Sequence, residues 1–459
     1  MAKYFGTNGV RGRFDFLGPD LAMKLAKAIG VYFGKGRVLL ARDGRLTGEC
    51  LKHAIIAGLQ SVGCNVIDMD YAPAPTAEFM IKKLKANGLI IITASHNPPE
   101  WNAMKVIDGN GITVSSERGE EIEALIDCTG CSGWQNIGKT EEYKEGIYEH
   151  MKEIKRHIDS NKIQKKIVLD CGNGMAAMIA PQLFKELGCN VIVLNGTVDG
   201  RFPGRLSEPS EANVDKLMKT VTKERADAGF AWDGDGDRVI AVDENGEYII
   251  GDRVFALSVL LKLREKKGSV VTTVATSRAA EDIAKAAGCP VRYTKIGAPY
   301  LSMEMAAKMG GPFVSAEATG AAAVIGGEEV GGVICPEISL AKDGFMTAAK
   351  ITEALCEKPL SKWIMEIPHY CNSKTKIKAN SEQKTRIIEG MQKYADEEKL
   401  KIKMNTIDGV RIDFSDSWVI VRSSGTEEYV RVFAEAKNVE MAKELMKKYV
   451  AIAEKFIKK

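Results

Sequence analysis

Short apolar runs alternate with stretches of helical spacing through most of this chain, and that alternation restricts it to α/β layers more than any single residue does. Arg37 to Ala41, Asn65 to Met69 and Gly88 to Ile92 read as strands, with helices over Cys50 to Ser61 and Thr76 to Lys85 between them. Strands separated by helical patterns make βαβ units with a mostly parallel sheet. The pattern restarts at Lys166 to Cys171 and runs to a strand over Ala226 to Trp232, an acidic loop and a hairpin turning at Glu244-Asn245-Gly246. It restarts again where Asp252 opens a helix, and closes with a helix over Gly344 to Leu355. A charged helix over Glu141 to Ile158 is expected to bridge the first two units. Beyond Ile367-Pro368-His369 the pattern turns β-rich with two helices, the last marked by Ala442, Leu445, Met446, Tyr449, Ala453, Phe456 and Ile457 on one face. The expected fold class is therefore α/β, with mixed-sheet α/β/α domains over 1–152, 153–252 and 253–367 and an α+β domain over 368–459. At 459 residues the chain is too long for one core and long enough for four.

Charge and cysteine usage narrow the class. A formal net charge of +3, spread without a long basic block, argues against nucleic acid as a main partner. The opening Met1-Ala2-Lys3-Tyr4-Phe5-Gly6 has no apolar leader, and no window approaches about 18 uninterrupted apolar residues, so the expectation is a soluble cytoplasmic protein with no membrane partner. The ten cysteines are scattered, several of them inside apolar runs, as suits a reducing compartment. Only Cys128-Thr129-Gly130-Cys131 has metal or redox spacing; no second pair follows, and a surface turn is the simpler reading.

Two loops carry the chemistry. Thr93-Ala94-Ser95-His96-Asn97-Pro98-Pro99 follows an apolar strand, so the Ser95 hydroxyl projects from the carboxyl edge of a sheet, where open α/β folds place ligands. His96 can carry a proton, and Lys105 can supply a positive charge or accept a proton. Asp233-Gly234-Asp235-Gly236-Asp237-Arg238 sets three carboxylates at alternate positions with glycines that permit a tight backbone, a donor set suited to Mg²⁺. The spacing also fits a calcium loop, but Arg238 stands where that loop needs glycine, and strands rather than helices flank it. Gly172-Asn173-Gly174-Met175-Ala176-Ala177 imitates a dinucleotide fingerprint, yet the next strand ends in Leu194-Asn195 rather than in an acidic residue. Arg422-Ser423-Ser424-Gly425-Thr426 offers a guanidinium, hydroxyls and backbone amides for a phosphate, and Gly326-Gly327-Glu328-Glu329-Val330-Gly331-Gly332 offers carboxylates for sugar hydroxyls.

Taken together, these loops resemble the α-D-phosphohexomutase superfamily: a Thr-Ala-Ser-His-Asn-Pro serine loop, an Asp-Gly-Asp-Gly-Asp-Arg metal loop, a sugar loop and a phosphate loop, in family order and one per domain. The run Phe5-Gly6-Thr7-Asn8-Gly9-Val10-Arg11-Gly12 further resembles the start of archaeal phosphoglucosamine mutases, and Asn102-Ala103-Met104-Lys105 resembles the family's Asn-Gly-x-Lys. The resemblance implies a heart-shaped molecule with a central cleft, a phosphoserine at Ser95 and one Mg²⁺ held by Ser95, Asp233, Asp235 and Asp237. It implies that Arg11, Lys105 and Arg238 surround the transferring group, with His96 or Lys105 handling protons. Glu328 would bind the sugar, and Arg422, Ser424, Gly425 and Thr426 the phosphate that does not react. The implied reaction interconverts sugar 6- and 1-phosphates through a bisphosphorylated intermediate, primed by a sugar bisphosphate. Glucosamine phosphate leads as substrate, with glucose, mannose or pentose phosphates as alternatives, and a non-catalytic phosphosugar binder as the alternative of another class. The expected assembly is a monomer or homodimer. Val330 departs from the Ser or Asn common in the sugar loop, which removes one hydrogen bond to a sugar hydroxyl; Ser423 and Glu428 replace frequent prolines, and Gly297-Ala298-Pro299 lacks a polar side chain.

Overall fold

Successive residues of the strand Arg37–Arg42 serve two different cores: Val38 and Leu40 pack with the helices Pro19–Tyr32 and Gly48–Ser61, while Leu39 and Ala41 pack with Ala74–Lys83 on the other face. A strand covered on both sides has no polar face, which explains the unbroken apolar runs. The computed structural model describes residues 3–6, 9–159, 163–308, 322–397, 403–424 and 428–457, and builds four sheets from them.

The first sheet runs, in spatial order, through Phe5–Gly6, Gly9–Arg13, Trp101–Asp108, Gly88–Ile92, Arg37–Arg42, Asn65–Tyr71 and Thr140–Glu142. Gly88–Ile92 pairs parallel with Arg37–Arg42 and antiparallel with Trp101–Asp108, so the sheet is mixed. The second sheet orders Tyr248–Ile249, Val239–Asp243, Ala228–Trp232, Lys166–Asp170 and Asn190–Leu194, and the third Val291–Thr294, Ser269–Thr273, Ala323–Gly327 and Val333–Ile334. One continuous apolar core joins these two, with Trp232 stacked on Phe345 at 5.8 Å between ring centroids. The fourth sheet is antiparallel throughout and backed by Ser381–Glu397 and Val439–Lys455. This is the multi-domain α/β fold with a final α+β unit that the pattern implied.

The bridge is where pattern and structure part. Thr140–Glu142 is a strand lying parallel to Asn65–Tyr71, and the helix covers only Gly146–Arg156. All three strand residues are exposed at the sheet edge, so they carry no apolar alternation that would have distinguished them from a charged helix.

The fourth sheet is fastened to the third unit by side chains. Arg411 donates to the Val274 carbonyl (2.7 Å), Arg278 to the Phe414 carbonyl (2.8 Å), and Asn372 to the Asp252 carboxyl (3.1 Å), around a small apolar cluster of Val274, Ala275, Trp418, Ile420 and Phe433. Burial pushes the Asp252 carboxyl up to about 8; Lys374 pulls it down, and Glu435 and Glu329 push it further up. An unfolded Asp releases its proton near 3.8, so the folded chain holds one extra proton between that value and about 8. Stability must therefore fall as pH rises through this window, by about 1.4 kcal/mol per pH unit at most. Thermal melts of Asp252→Asn across the same range are expected to show a flatter decline than wild type; an identical slope would remove Asp252 as its source.

Candidate active site

Ser95 leaves the end of strand Gly88–Ile92 in a left-handed conformation (φ 49°) that a serine adopts only when its surroundings impose it. Here they do. Its amide donates to the Thr93 hydroxyl (3.0 Å), and the five N–H groups of the fully buried Arg45 are spent on Asp43 and on the carbonyls of Ser95, Asn97, Pro98 and Trp101. The hydroxyl then faces the acidic loop, donating to Asp233 Oδ2 at 2.6 Å.

The acidic loop lies between strands Ala228–Trp232 and Val239–Asp243, and its carbonyls are held by three different units. Gly234 O accepts from the Met175 amide (2.9 Å), Asp235 O from Ala74 (3.0 Å) and Gly236 O from Gly344 (3.3 Å). Two glycines are required there. A Cβ on Gly234 would lie 2.5 Å from the Ser95 carbonyl, and Gly236 has φ 81° with Phe345 against it.

Asp233, Asp235 and Asp237 are all buried, and each presents an oxygen within 4.8 Å of the others. Asp235 Oδ1 and Asp237 Oδ1 are buried without a hydrogen-bond partner, while the second oxygens are engaged, Asp235 Oδ2 by Thr93 (3.2 Å) and Asp237 Oδ2 by Lys342 (3.2 Å) and Lys105 (3.5 Å). Burial, then Asp235 and Asp237, hold the Asp233 carboxyl well above the ordinary carboxylate range. Orphaned acceptors among mutually repelling carboxylates are the environment a hard divalent cation relieves, so the donor set fits Mg²⁺.

Positive charge surrounds the cluster. Arg238 donates from a terminal nitrogen to His96 Nδ1 (3.1 Å), and Ser95 Oγ lies 3.4 Å from the same nitrogen. Burial, then Arg238 and Arg11, drive His96 down to about 3, so its imidazole is neutral at physiological pH. Arg11, on strand Gly9–Arg13, donates to Asn97 Oδ1 (2.7 Å); burial and then Arg238 lower its affinity for its proton. Lys105 pairs with Glu78 (3.1 Å), and although burial alone would lower it, Glu78, Asp237 and Asp235 outweigh that and raise it, so Lys105 stays charged rather than acting as a base. Glu328 meets Lys342 at 2.7 Å, in the room left because Gly332 has no side chain: a Cβ there would fall 2.4 Å from Lys342 Cδ.

The structure thus brings together Ser95, His96, Lys105, Arg11, Arg238, the three aspartates and, through Lys342, Glu328. Arg422 pairs with Asp408 (3.1 Å), and the Ser424 amide donates to the Tyr429 carbonyl (3.0 Å); neither contact reaches the cluster. Gly425 and Thr426 lie outside the described residues. Arg45, Glu78 and Lys342 escaped the reading of motifs. Each is a buried charge; Glu78 stands inside an apolar stretch, an incongruity that was the available signal for it, whereas Arg45 sits among polar loop residues and gave none. The glycine turn at Gly172 to Gly174 has positive φ at Gly172 and Asn173 and packs against Gly234, a structural role. Cys128 and Cys131 are exposed, with Lys27 3.3 Å from the Cys131 sulfur, and no metal-ligating group forms around them among the described residues.

Profiles of the phosphoglucomutase/phosphomannomutase family match in succession: alpha/beta/alpha domain I over residues 2–130, domain II over 141–246, domain III over 250–370 and the C-terminal domain over 375–452. The chain is 40% identical over its whole length, and the whole of the relative's, to a phosphoglucomutase/phosphomannomutase of Thermococcus kodakarensis. It is 36% identical to a protein of Methanopyrus kandleri bearing the name "Probable phosphoglucosamine mutase", over 100% of this chain and 99% of the other. Among solved structures, a phosphoglucomutase/phosphomannomutase family protein of Burkholderia thailandensis superposes with a TM-score of 0.85 at 26% identity, covering 98% of this chain and 97% of that one. A serine loop and an acidic loop locked together on four consecutive family domains leave one assignment: the chain belongs to the phosphoglucomutase/phosphomannomutase family of the α-D-phosphohexomutase superfamily, and it is a mutase.

Proposed function

We propose that the protein interconverts the 6- and 1-phosphates of a hexose through a phosphoserine at Ser95, with glucosamine phosphate as the leading substrate. The observation that carries this reading is the 2.6 Å bond from the Ser95 hydroxyl to an acidic loop that keeps two buried carboxylate oxygens without a hydrogen bond. Asp233, Asp235 and Asp237, with Ser95, would hold Mg²⁺, which when bound neutralises charge on phosphoryl oxygens.

Ser95 carries the phosphoryl group as an ester. A sugar hydroxyl takes it as the P–O bond to Ser95 breaks, and the bisphosphorylated sugar returns its other phosphoryl to Ser95 after turning over. Arg11, Lys105 and Arg238 are fixed cations around the group, consistent with phosphoryl transfer depending on positioning and charge neutralisation. His96 is the acceptor for the hydroxyl proton: unprotonated beforehand, it gains basicity when a phosphate dianion offsets Arg238 and Arg11. Glu328 receives sugar hydroxyls, with Val330 contributing none. Arg422, Ser424, Gly425 and Thr426 would bind the distal phosphate once it spans to them.

The amino-sugar reading rests on the amino-terminal run and on relatives named phosphoglucosamine mutase. A second reading, glucose or mannose phosphate, is favoured by the name of the Thermococcus relative and by Lys342, which offsets the charge of Glu328 and so weakens the attraction for a sugar ammonium. Steady-state rates on the three 6-phosphates, with Mg²⁺ and a bisphosphate primer, should rank glucosamine first by at least about tenfold in kcat/KM. Equal or higher rates on mannose or glucose would reverse the order. Intact-mass spectra of competent enzyme are expected to show one phosphoryl adduct, and its absence after priming would remove the phosphoserine.

A further inference from the structure

Helix Ala74–Lys83 packs Ala74, Ala77, Met80 and Ile81 against the first sheet, yet it also buries a carboxylate, Glu78, at 7% exposure. A buried acid carries a desolvation cost that an apolar side chain would avoid, so the apolar core does not call for it; what does is a buried cation beside it. Among the described residues it is paired by Lys105, 3.1 Å away. Lys105 also faces Asp237 Oδ2, at the longer distance of 3.5 Å, and that oxygen already has Lys342 at 3.2 Å. The result is a buried row of alternating charge, Glu78, Lys105, Asp237, Lys342 and Glu328, drawn from the first three units of the fold.

We propose that Glu78 is a positioning residue for the phosphoryl transfer, holding Lys105 back from Asp237 so that its ammonium remains available to the transferring group. The inference rests on the mutase reading above. Without Glu78 the ammonium has the acidic loop as its nearest anion and closes onto it, and its charge is then spent on Asp237 rather than on phosphate. Behind Glu78 lies a cavity of about 410 Å³, also lined by Lys82, Asn110, Ser339 and Leu340, with the exposed Lys82 at its rim. Truncating Glu78 to alanine would extend that cavity to Lys105, and its cationic rim favours entry of a small carboxylate.

Wild-type turnover of a hexose phosphate is measured first; none on any sugar overturns both readings together. Given turnover, Glu78→Gln, which keeps the shape of the side chain, is expected to lose about ten- to a hundredfold in kcat with KM little changed. Glu78→Ala is expected to lose at least as much and to recover part of it, saturably, on addition of sodium formate, with no recovery from sodium chloride at equal ionic strength. A merely structural acid would not respond to formate. Glu78→Gln at wild-type kcat overturns the assignment while leaving the mutase reading intact. So does a folded Glu78→Ala, judged by its melt, whose rate formate does not raise.

Discussion

Ser95→Ala is expected to lose at least about 10⁴-fold in turnover, because it removes the atom that carries the phosphoryl group rather than one that assists it. The fold should not follow. Asp233 keeps the amides of Gly236 (3.1 Å) and Arg238 (3.2 Å), and the strained turn is held by Arg45 and Thr93 rather than by the hydroxyl. Melting temperature should therefore stay near wild type while coupled-assay activity falls to background and the phosphoryl adduct disappears from the mass spectrum. Activity within tenfold of wild type would defeat the phosphoserine mechanism.

Arg45→Ala is expected to be the most damaging substitution for stability, at about 3–5 kcal/mol. Three carbonyls of the serine loop and that of Trp101 lose the guanidinium, with Asn97 keeping the Ser207 hydroxyl (3.0 Å) and Pro98 the Trp101 amide (3.1 Å), and Asp43, 1% exposed, loses the cation 3.0 Å away, keeping the Thr93 hydroxyl at 2.8 Å. Arg45→Lys should recover only a fraction, since an ammonium cannot reproduce the planar fork that reaches Asp43 and the carbonyls together. Chemical denaturation followed by tryptophan fluorescence, to which the buried Trp232, Trp363 and Trp418 contribute, checks both. A loss below about 1 kcal/mol for Arg45→Ala would mean that the loop is held by its own turn chemistry.

What the chain disclosed before folding follows a physical rule about range. Strands such as Arg37–Arg42 and Gly88–Ile92 announce themselves because burial on both faces leaves only apolar residues, and the serine and acidic loops do so because their chemistry is written within six or seven consecutive positions. Arg45 acts on Ser95 fifty positions away, Glu78 on Lys105 twenty-seven away, and Lys342 on Asp237 more than a hundred away. No local spacing encodes such pairs, which is why the ligand set was legible and its supports were not. Lys105 shows the cost of reading chemistry without neighbours. Its side chain permits a base, but the carboxylates of Glu78, Asp237 and Asp235 strengthen its hold on its proton.

The three carbonyls of the acidic loop, each gripped by a different stretch of chain, have one more implication. Prising the first or third sheet away from the second would strip the amides from Asp235 and Gly236, leaving Gly234 held within its own unit, and would disturb the cation ligands. The fourth sheet takes no part in that grip: its fastenings to its neighbour are side-chain bonds and a small greasy contact, and none of them bears on a carbonyl of the acidic loop.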